Sequence, residues 1–335
     1  MTYDITLIPG DGIGPEVIQS AKMVIESSGV DIHWDVVEAG EKMIAKYQDP
    51  LPNFVIESIQ RNKIALKGPV TTPVGAGFRS INVKLRQILD LYANMRPIKS
   101  FPGIPSRYTD IDFVIIRENT EDVYAGIEHK IGEDAAVCIK IITKKASERI
   151  AKFAFQLARR EKRKKVTIVH KANIMKYTDG LFLNTARNIA KKYPKILVED
   201  IIVDAMSMKL VMSPQDYELL LMPNLYGDIL SDLGAGLVGG LGIVPGANIG
   251  DYVAVFEPVH GSCVNGLQPN TANPTATILS GVMMLKYLGE IQAAHRIEKA
   301  VKKILTIGKE VTPDLGGSAK TSEYTKAVIR MIEKD

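Results

Sequence analysis

The sequence is short of cysteine, of net charge and of unbroken apolar length, and each shortage excludes something. Two cysteines, Cys138 and Cys263, occur in 335 residues. They form no metal-spaced pair, which argues against a zinc module or a disulfide scaffold and fits a reduced setting. A formal net charge of +4 is too mild to imply nucleic acid. The one dense basic run, residues 159–165, falls at the end of an expected helix, where cations suit the dipole. It reads as a solvated helix end rather than an RNA patch. Residues 233–250 are uncharged, but glycines and Pro245 interrupt them, so they read as a helix–loop connection and not a membrane span. The chain enters an apolar strand directly, with no basic leader, so a cytoplasmic protein is expected. It shows no repeat and no low-complexity segment. What is present, 46% hydrophobic and 24% charged residues, is an ordinary soluble composition. The length suffices for two domains or one large α/β unit.

Residues 4–8 read as a buried strand, followed by Pro-Gly-Asp-Gly-Ile-Gly-Pro-Glu at 9–16 and a helix to about 27, with Pro15 suited to its first position. Gly10 and Gly12 match the first two glycines of a dinucleotide fingerprint, but Pro15 stands at the third, so a Rossmann fold is not assigned. Strands near 34–38, 64–66 and 113–116 alternate with helices near 54–61 and 80–91, which implies a largely parallel sheet with flanking helices. Residues 124–130 and 137–142 suggest antiparallel strands. Beyond them come helices near 147–162, 273–288, 291–307 and 322–334, and strands near 166–169, 217–222 and 253–256. Proline-rich residues 97–105 place a domain boundary near Ser100, and Pro245 with its glycines places the return near Val244. The expectation is a large domain of 1–99 plus 245–335 and a small domain of 100–244.

Three features carry chemistry. Asp228 and Asp232 follow an apolar run and a Pro-Asn-Leu-Tyr-Gly turn, at i and i+4 on one helix face. Like charges there repel unless a divalent cation lies between them, and oxygen-only ligands favour magnesium or manganese. The plain alternative is a pair of acids complementing the helix dipole. Asp204 sits in the apolar run 201–205, where an unpaired acid is costly to bury, so it becomes a third candidate ligand. Arg86, Arg96 and Arg117 stand at element ends beside loops, and their planar forks suit substrate carboxylates. Lys171, just past the strand 166–169, is either a solvated strand end or a catalytic amine.

Across essentially its whole length the sequence resembles the metal-dependent β-decarboxylating dehydrogenases, which comprise the isocitrate, homoisocitrate, isopropylmalate and tartrate enzymes. The resemblance rests on Ile8-Pro-Gly-Asp-Gly-Ile-Gly-Pro-Glu, Leu89-Asp-Leu-Tyr-Ala-Asn-Met-Arg-Pro and Arg117-Glu-Asn-Thr-Glu-Asp-Val-Tyr-Ala-Gly. It extends to His170-Lys-Ala-Asn-Ile-Met-Lys, Asn224-Leu-Tyr-Gly-Asp-Ile-Leu-Ser-Asp, Glu257-Pro-Val-His-Gly-Ser and Thr312-Pro-Asp-Leu-Gly-Gly.

The resemblance implies the isocitrate/isopropylmalate dehydrogenase-like fold and a homodimer with shared active sites, with room for a higher oligomer. By position, Arg86, Arg96, Arg117 and Asn173 would bind substrate, Tyr124 would act as acid, and Lys171 would arrive from the other protomer. Magnesium or manganese would be held by Asp228 and Asp232 of one chain with Asp204 of the other. Ser80 and Asn82 match the pair with which isocitrate enzymes bind the third carboxylate, whereas an isopropylmalate enzyme should show apolar residues there. Ser80 also suits a helix N-cap. Isocitrate is therefore expected and homoisocitrate is the runner-up. Glu257, His260, Gly261 and Asn273 match the family's adenosine loop, and Thr72 would lie near the nicotinamide. NADP-specific relatives carry a lysine and a tyrosine where this chain has Asn265 and Gly266, so NAD is favoured, although the aspartate usual for NAD at the Asn265 position is missing. The non-enzyme alternative is a catalytically silent regulatory chain, against which the full set of catalytic residues speaks. No nucleic acid and no membrane partner is expected.

Overall fold

The structure is a computed structural model, and it describes residues 2–71, 80–263 and 267–334. In chain order the first half contains β1 (Tyr3–Ile8), α1 (Gly14–Ser27), β2 (Ile32–Val36), α2 (Glu41–Tyr47), α3 (Asn53–Asn62), β3 (Ile64–Lys67), α4 (Ile81–Ile88), β4 (Ala93–Lys99), β5 (Asp112–Glu118), β6 (Glu128–Ile131), β7 (Ala135–Cys138) and α5 (Lys144–Arg160). The second half continues with β8 (Lys165–His170), α6 (Thr178–Ala190), β9 (Leu197–Ile202), α7 (Val203–Met212), β10 (Leu219–Met222), α8 (Asn224–Val238), β11 (Pro245–Ile249), β12 (Ala254–Pro258), α9 (Thr275–Leu288), α10 (Ile291–Ile307) and α11 (Thr321–Ile332).

Ten strands form one sheet in the order β2-β1-β3-β12-β11-β4-β5-β10-β8-β9, and β6 and β7 form a separate antiparallel pair. Within the sheet, β2-β1-β3-β12 and β5-β10-β8-β9 are parallel blocks. Strands such as β10 (Leu-Leu-Leu-Met, wholly buried) are apolar on both faces because helices cover both sides. Helix α5 shows how that cover is encoded: Ile150, Ala151, Ala154, Phe155 and Ala158 recur at helical spacing and all are buried.

The seam between the blocks is antiparallel. β4 and β11 pair with each other, β11 with β12, and β4 with β5. Neither strand is foreseen from the sequence, because β11 begins Pro245-Gly246 and β4 contains Arg96 and Pro97. The structure tolerates Pro97 because β11 pairs with β4 only at Ala93, Asn94 and Met95. A second departure precedes Asp228. The expected Pro-Asn-Leu-Tyr-Gly turn is absent, since helix α8 starts at Asn224 with Pro223 as its N-cap. A third concerns α2, which lies in a stretch where no helix is anticipated.

Candidate active site

Side chains alternate along a strand, and paired residues on neighbouring strands share a face. The register therefore sets Lys67 of β3, Glu257 of β12, Asn248 of β11, Asn94 and Arg96 of β4, and Arg117 of β5 on one face across the seam. All six are buried. So polar a row needs internal partners, and it has them. Lys67 Nζ lies 2.6 Å from Glu257 Oε2. The other carboxylate oxygen accepts from Asn248 Nδ2 at 2.7 Å and from Arg86 Nη2 at 3.3 Å. Asn248 Oδ1 accepts in turn from Asn94 at 2.9 Å and Asn119 at 3.0 Å. Burial would raise the Glu257 pKa, but Lys67 and Arg86 hold it down to about 2.

Above this floor opens a cavity of about 230 Å³. Arg86, Arg96, Arg117 and Tyr124 line it with Asp228, and Ser80 and Asn82 form another part of its wall. Arg117 donates from Nε and Nη2 to Asn224 Oδ1 at 2.9 and 2.6 Å, and its Nη1 pairs with Asp228. Its guanidinium carbon stands 5.1 Å from the centre of the Tyr124 ring. Tyr124 donates its hydroxyl to Asp228 Oδ2 at 2.6 Å. Arg96 donates to Ser231, and its Nη1 lies 3.7 Å from Asp228 Oδ1 and 3.9 Å from Asp232 Oδ1.

Glycine 227 makes this convergence possible: a Cβ there would fall 2.4 Å from Arg117 Cγ. Burial, then the neighbouring Arg117 and Arg86, lower the Arg96 pKa to about 9. Burial would raise Asp228, yet Arg117 and Tyr124 bring it below the usual carboxylate range, while burial leaves Asp232 above it. Burial and the bond to Asp228 raise the Tyr124 phenol, which keeps it protonated.

The cavity has unused hydrogen-bonding capacity. Arg86 Nε, Arg96 Nε and Asn82 Oδ1 are buried without a hydrogen-bond partner. Ser80 occupies the N-cap position of α4, but its side chain makes no capping bond. Cations closely packed with spare donors are a receptor for carboxylates.

Other expected site residues lie elsewhere. Lys171, Asn173 and Asp204 do not line the cavity. Lys171 Nζ pairs with Asp204 Oδ1 at 2.8 Å on the same chain. Asp204 thus has the cation expected for an acid in that run, but the expectation that it is buried is corrected: its side chain is 68% exposed. The apolar run switches from β9 to helix at Val203, and this puts Asp204 in the first turn of α7. Among the described residues of one chain, no three potential ligands cluster for a metal. Asp228 and Asp232 fit a hard cation by donor type, and a third carboxylate would have to come from another copy.

Of the cofactor candidates, Thr72 and Asn265 lie outside the described residues. His260 and Gly261 line the cavity, and Gly261 leaves open space where a Cβ would stand. His260 Nε2 is buried without a partner, and burial lowers its pKa so that the ring is neutral. That spare ring nitrogen at the rim fits a polar cofactor. Glu257 belongs to the cavity floor with both oxygens engaged. Asn273 braces a turn instead, donating to Asp314 at 2.8 Å and accepting from Thr275 N–H at 3.0 Å.

Sequence reasoning passed over Lys67, Asn224 and Asn248, and only the position of Lys67 before Gly-Pro at a strand end hinted at a role. It also left the Gly10-Asp11-Gly12 segment without a task. Asp11 accepts from the backbone of Thr71 at 2.8 Å and Glu41 at 3.0 Å. A Cβ on Gly12 would meet Ser262 O at 2.0 Å, and one on Gly10 would meet Pro69 O at 2.1 Å. The glycines are a clasp joining three loops, which is a different job from cradling a pyrophosphate.

Comparison with known proteins agrees with this geometry. The family model described as isocitrate/isopropylmalate dehydrogenase matches residues 4–328. The NAD isocitrate dehydrogenase catalytic subunit 5, mitochondrial, of Arabidopsis thaliana is 50% identical over 324 residues, which span 96% of this chain and 87% of that protein. A regulatory subunit of the NAD isocitrate dehydrogenase of Dictyostelium discoideum, also named mitochondrial, is 49% identical over 98% of this chain and 91% of its own length. The crystal structure of isocitrate dehydrogenase from Methylococcus capsulatus superposes with a TM-score of 0.96 at 52% identity, covering 98% of this chain and 99% of that one. The mitochondrial names of the curated relatives overturn the expectation of a cytoplasmic protein. Unpaired cysteines indicate only a reduced setting, which more than one compartment provides.

Proposed function

The chain belongs to the isocitrate/isopropylmalate dehydrogenase family, and from that premise we infer that it catalyses the NAD-dependent oxidative decarboxylation of isocitrate to 2-oxoglutarate and carbon dioxide. The observation that carries the choice of acid is the cavity in which Ser80 and Asn82 face Arg86, Arg96 and Arg117. A tricarboxylate finds three arginines there, with Ser80 and Asn82 as further polar partners. An isopropyl group would leave Asn82 and the Ser80 hydroxyl unsatisfied, and a polar site rejects such an analogue strongly.

In this reading the arginines fix two carboxylates of the substrate, and Ser80 with Asn82 takes the third. Asn173 would contribute from the partner copy. Tyr124, held protonated beside Asp228, delivers a proton to carbon after carbon dioxide departs, and Lys171 of a second copy removes the hydroxyl proton. A magnesium or manganese ion, when bound at Asp228 and Asp232 with Asp204 of the other copy, acidifies the substrate hydroxyl and stabilises negative charge on its oxygen. NAD would be held at His260 and Gly261 and would supply the hydride acceptor, with Thr72 and Asn265, outside the described residues, assigned to it by the family resemblance alone.

Two copies sharing each site account for the separation of Lys171 and Asp204 from the cavity, since that pair would complete the neighbour's site. The division into a domain of 1–99 plus 245–335 and one of 100–244 would cut the sheet between β4 and β5, at the antiparallel seam under the cavity. The alternative of a silent regulatory chain has less support, because Arg117, Tyr124 and Asp228 are engaged with one another at the cavity.

Initial rates with manganese, crossing isocitrate, homoisocitrate and 3-isopropylmalate with NAD and NADP, test the reading. Rapid NAD reduction on isocitrate is expected. A preference for homoisocitrate would overturn the role given to Ser80 and Asn82, and no turnover with any acid would restore the silent chain.

A further inference from the structure

Asp179, in the first turn of α6, is fully buried and belongs to no part of the mechanism above. Its Oδ2 accepts the backbone N–H of Lys171 at 2.6 Å and the hydroxyl of Tyr226 at 2.9 Å. Its Oδ1 lies 2.7 Å from Lys140 Nζ, whose side chain is itself nearly buried. Lys140 also stands over the Tyr226 ring, 4.4 Å from its centre. One carboxylate thus joins the turn after β8 to the first turn of α8. A buried acid with a cation and two further donors is held in one orientation, so the groups that it binds are held as well.

We propose that Asp179 is the positioning residue for Lys171, fixing the backbone of the turn that carries this amine toward the site of the second copy. The proposal rests on the shared-site reading above. Among the described residues, the Lys171 side chain has the exposed Asp204 as its ion-pair partner. Its main-chain anchor is buried, and that anchor decides where the amine points. Displacing a catalytic group by about 1 Å costs on the order of 10²-fold in rate. Asp179→Asn keeps the shape but exchanges an acceptor for a donor and leaves Lys140 with Asp122, 3.8 Å away, as its counter-charge. A fall in kcat of about 10²-fold is expected, with only a modest rise in KM for isocitrate through Asn173 on the same turn, because the arginines and Ser80 belong to the other copy's cavity.

A purely structural role would also lower kcat, so mixed assemblies supply the decisive readout. In a dimer of one Asp179→Asn chain and one Asp228→Asn chain, one site receives intact Asp228 from the first and intact Lys171 with Asp179 from the second. The other site receives both defects. Mixing the two weak variants, unfolded and refolded together, is therefore expected to restore about a quarter of wild-type activity, since half of the dimers are mixed and each has one good site. The parallel mixture of Lys171→Ala with Asp228→Asn is the control. If the control recovers activity and the Asp179 mixture does not, Asp179 acts on the cavity of its own chain through Tyr226, and the proposal is overturned. If the control itself fails, site sharing is what falls. If Asp179→Asn does not assemble, Asp179→Ser, which removes the carboxylate with less bulk, is mixed in its place and the same two outcomes decide.

Discussion

Arg117 shows how much a single side chain is asked to do here. It is 1% exposed, grips Asn224 through two nitrogens, pairs with Asp228 and lies beside the Tyr124 ring. A lysine would keep the charge and lose the fork, so Arg117→Lys is expected to lower kcat/KM for isocitrate roughly 10–100-fold, as for losing a charged hydrogen bond. Glu257 makes a different prediction. Neutralising it as Glu257→Gln removes the ion-pair partner of both Lys67 and Arg86, and a broken buried pair costs roughly 3–5 kcal/mol. Chemical denaturation should report that loss. Glu121 gives a pH signature. Burial raises its pKa to about 7, only partly opposed by its bonds to Thr143, so the folded chain holds a proton that the unfolded chain gives up near pH 4.5. Its contribution is complete below that value and is lost as pH rises toward 7. The melting temperature of Glu121→Gln relative to wild type should therefore improve from pH 5 to pH 8, and an unchanged difference would reject this.

At the scale of elements, the start of α8 was legible as a helix but not as the place it occupies. The i, i+4 spacing put Asp228 and Asp232 on one face, and the structure finds both near Arg96. The approach of α8 to β5 depends on Gly227, which no periodicity marks. Alanine in an exposed helix position normally stabilises by about 0.5–1 kcal/mol relative to glycine. Gly236→Ala, where a Cβ meets nothing, should do that. Gly227→Ala on the same helix should instead lower the melting temperature and raise KM for isocitrate, because its Cβ would displace Arg117. β4 and β11 were illegible for a related reason. Their proline, glycine, arginine and asparagine residues depress local strand propensity, and only pairing across the seam makes them strands.

At the scale of the molecule, the elements around Lys171 and Asp204 expose several large apolar side chains. Ile174, Tyr177, Met208, Met212 and Ile229 are each more than half exposed, on the turn after β8 and on the packed helices α7 and α8. These residues lie on the elements that carry Lys171, Asp204 and Asp228, and the proposed sharing of sites would cover them with a second copy. Replacing Tyr177 and Met208 together by aspartate should yield a smaller species in sedimentation and abolish activity while leaving the far-ultraviolet dichroism intact. Retained assembly would place the interface elsewhere.

The sequence alone determined the types of most elements and the exclusion of a Rossmann fold, and it singled out Ser80, Asn82, Arg86, Arg96, Arg117, Tyr124 and Asp228, which the structure brings to one cavity. Period and turn chemistry are local properties, and the family motifs are contiguous stretches. Only the tertiary structure decided that Lys67, Glu257 and Asn248 form the floor, that the glycine segment clasps Thr71 and Ser262, and that Asp204 is exposed and meets Lys171. These depend on which strands become neighbours and on where a strand gives way to a helix, and both are settled by long-range pairing that no local window of residues contains.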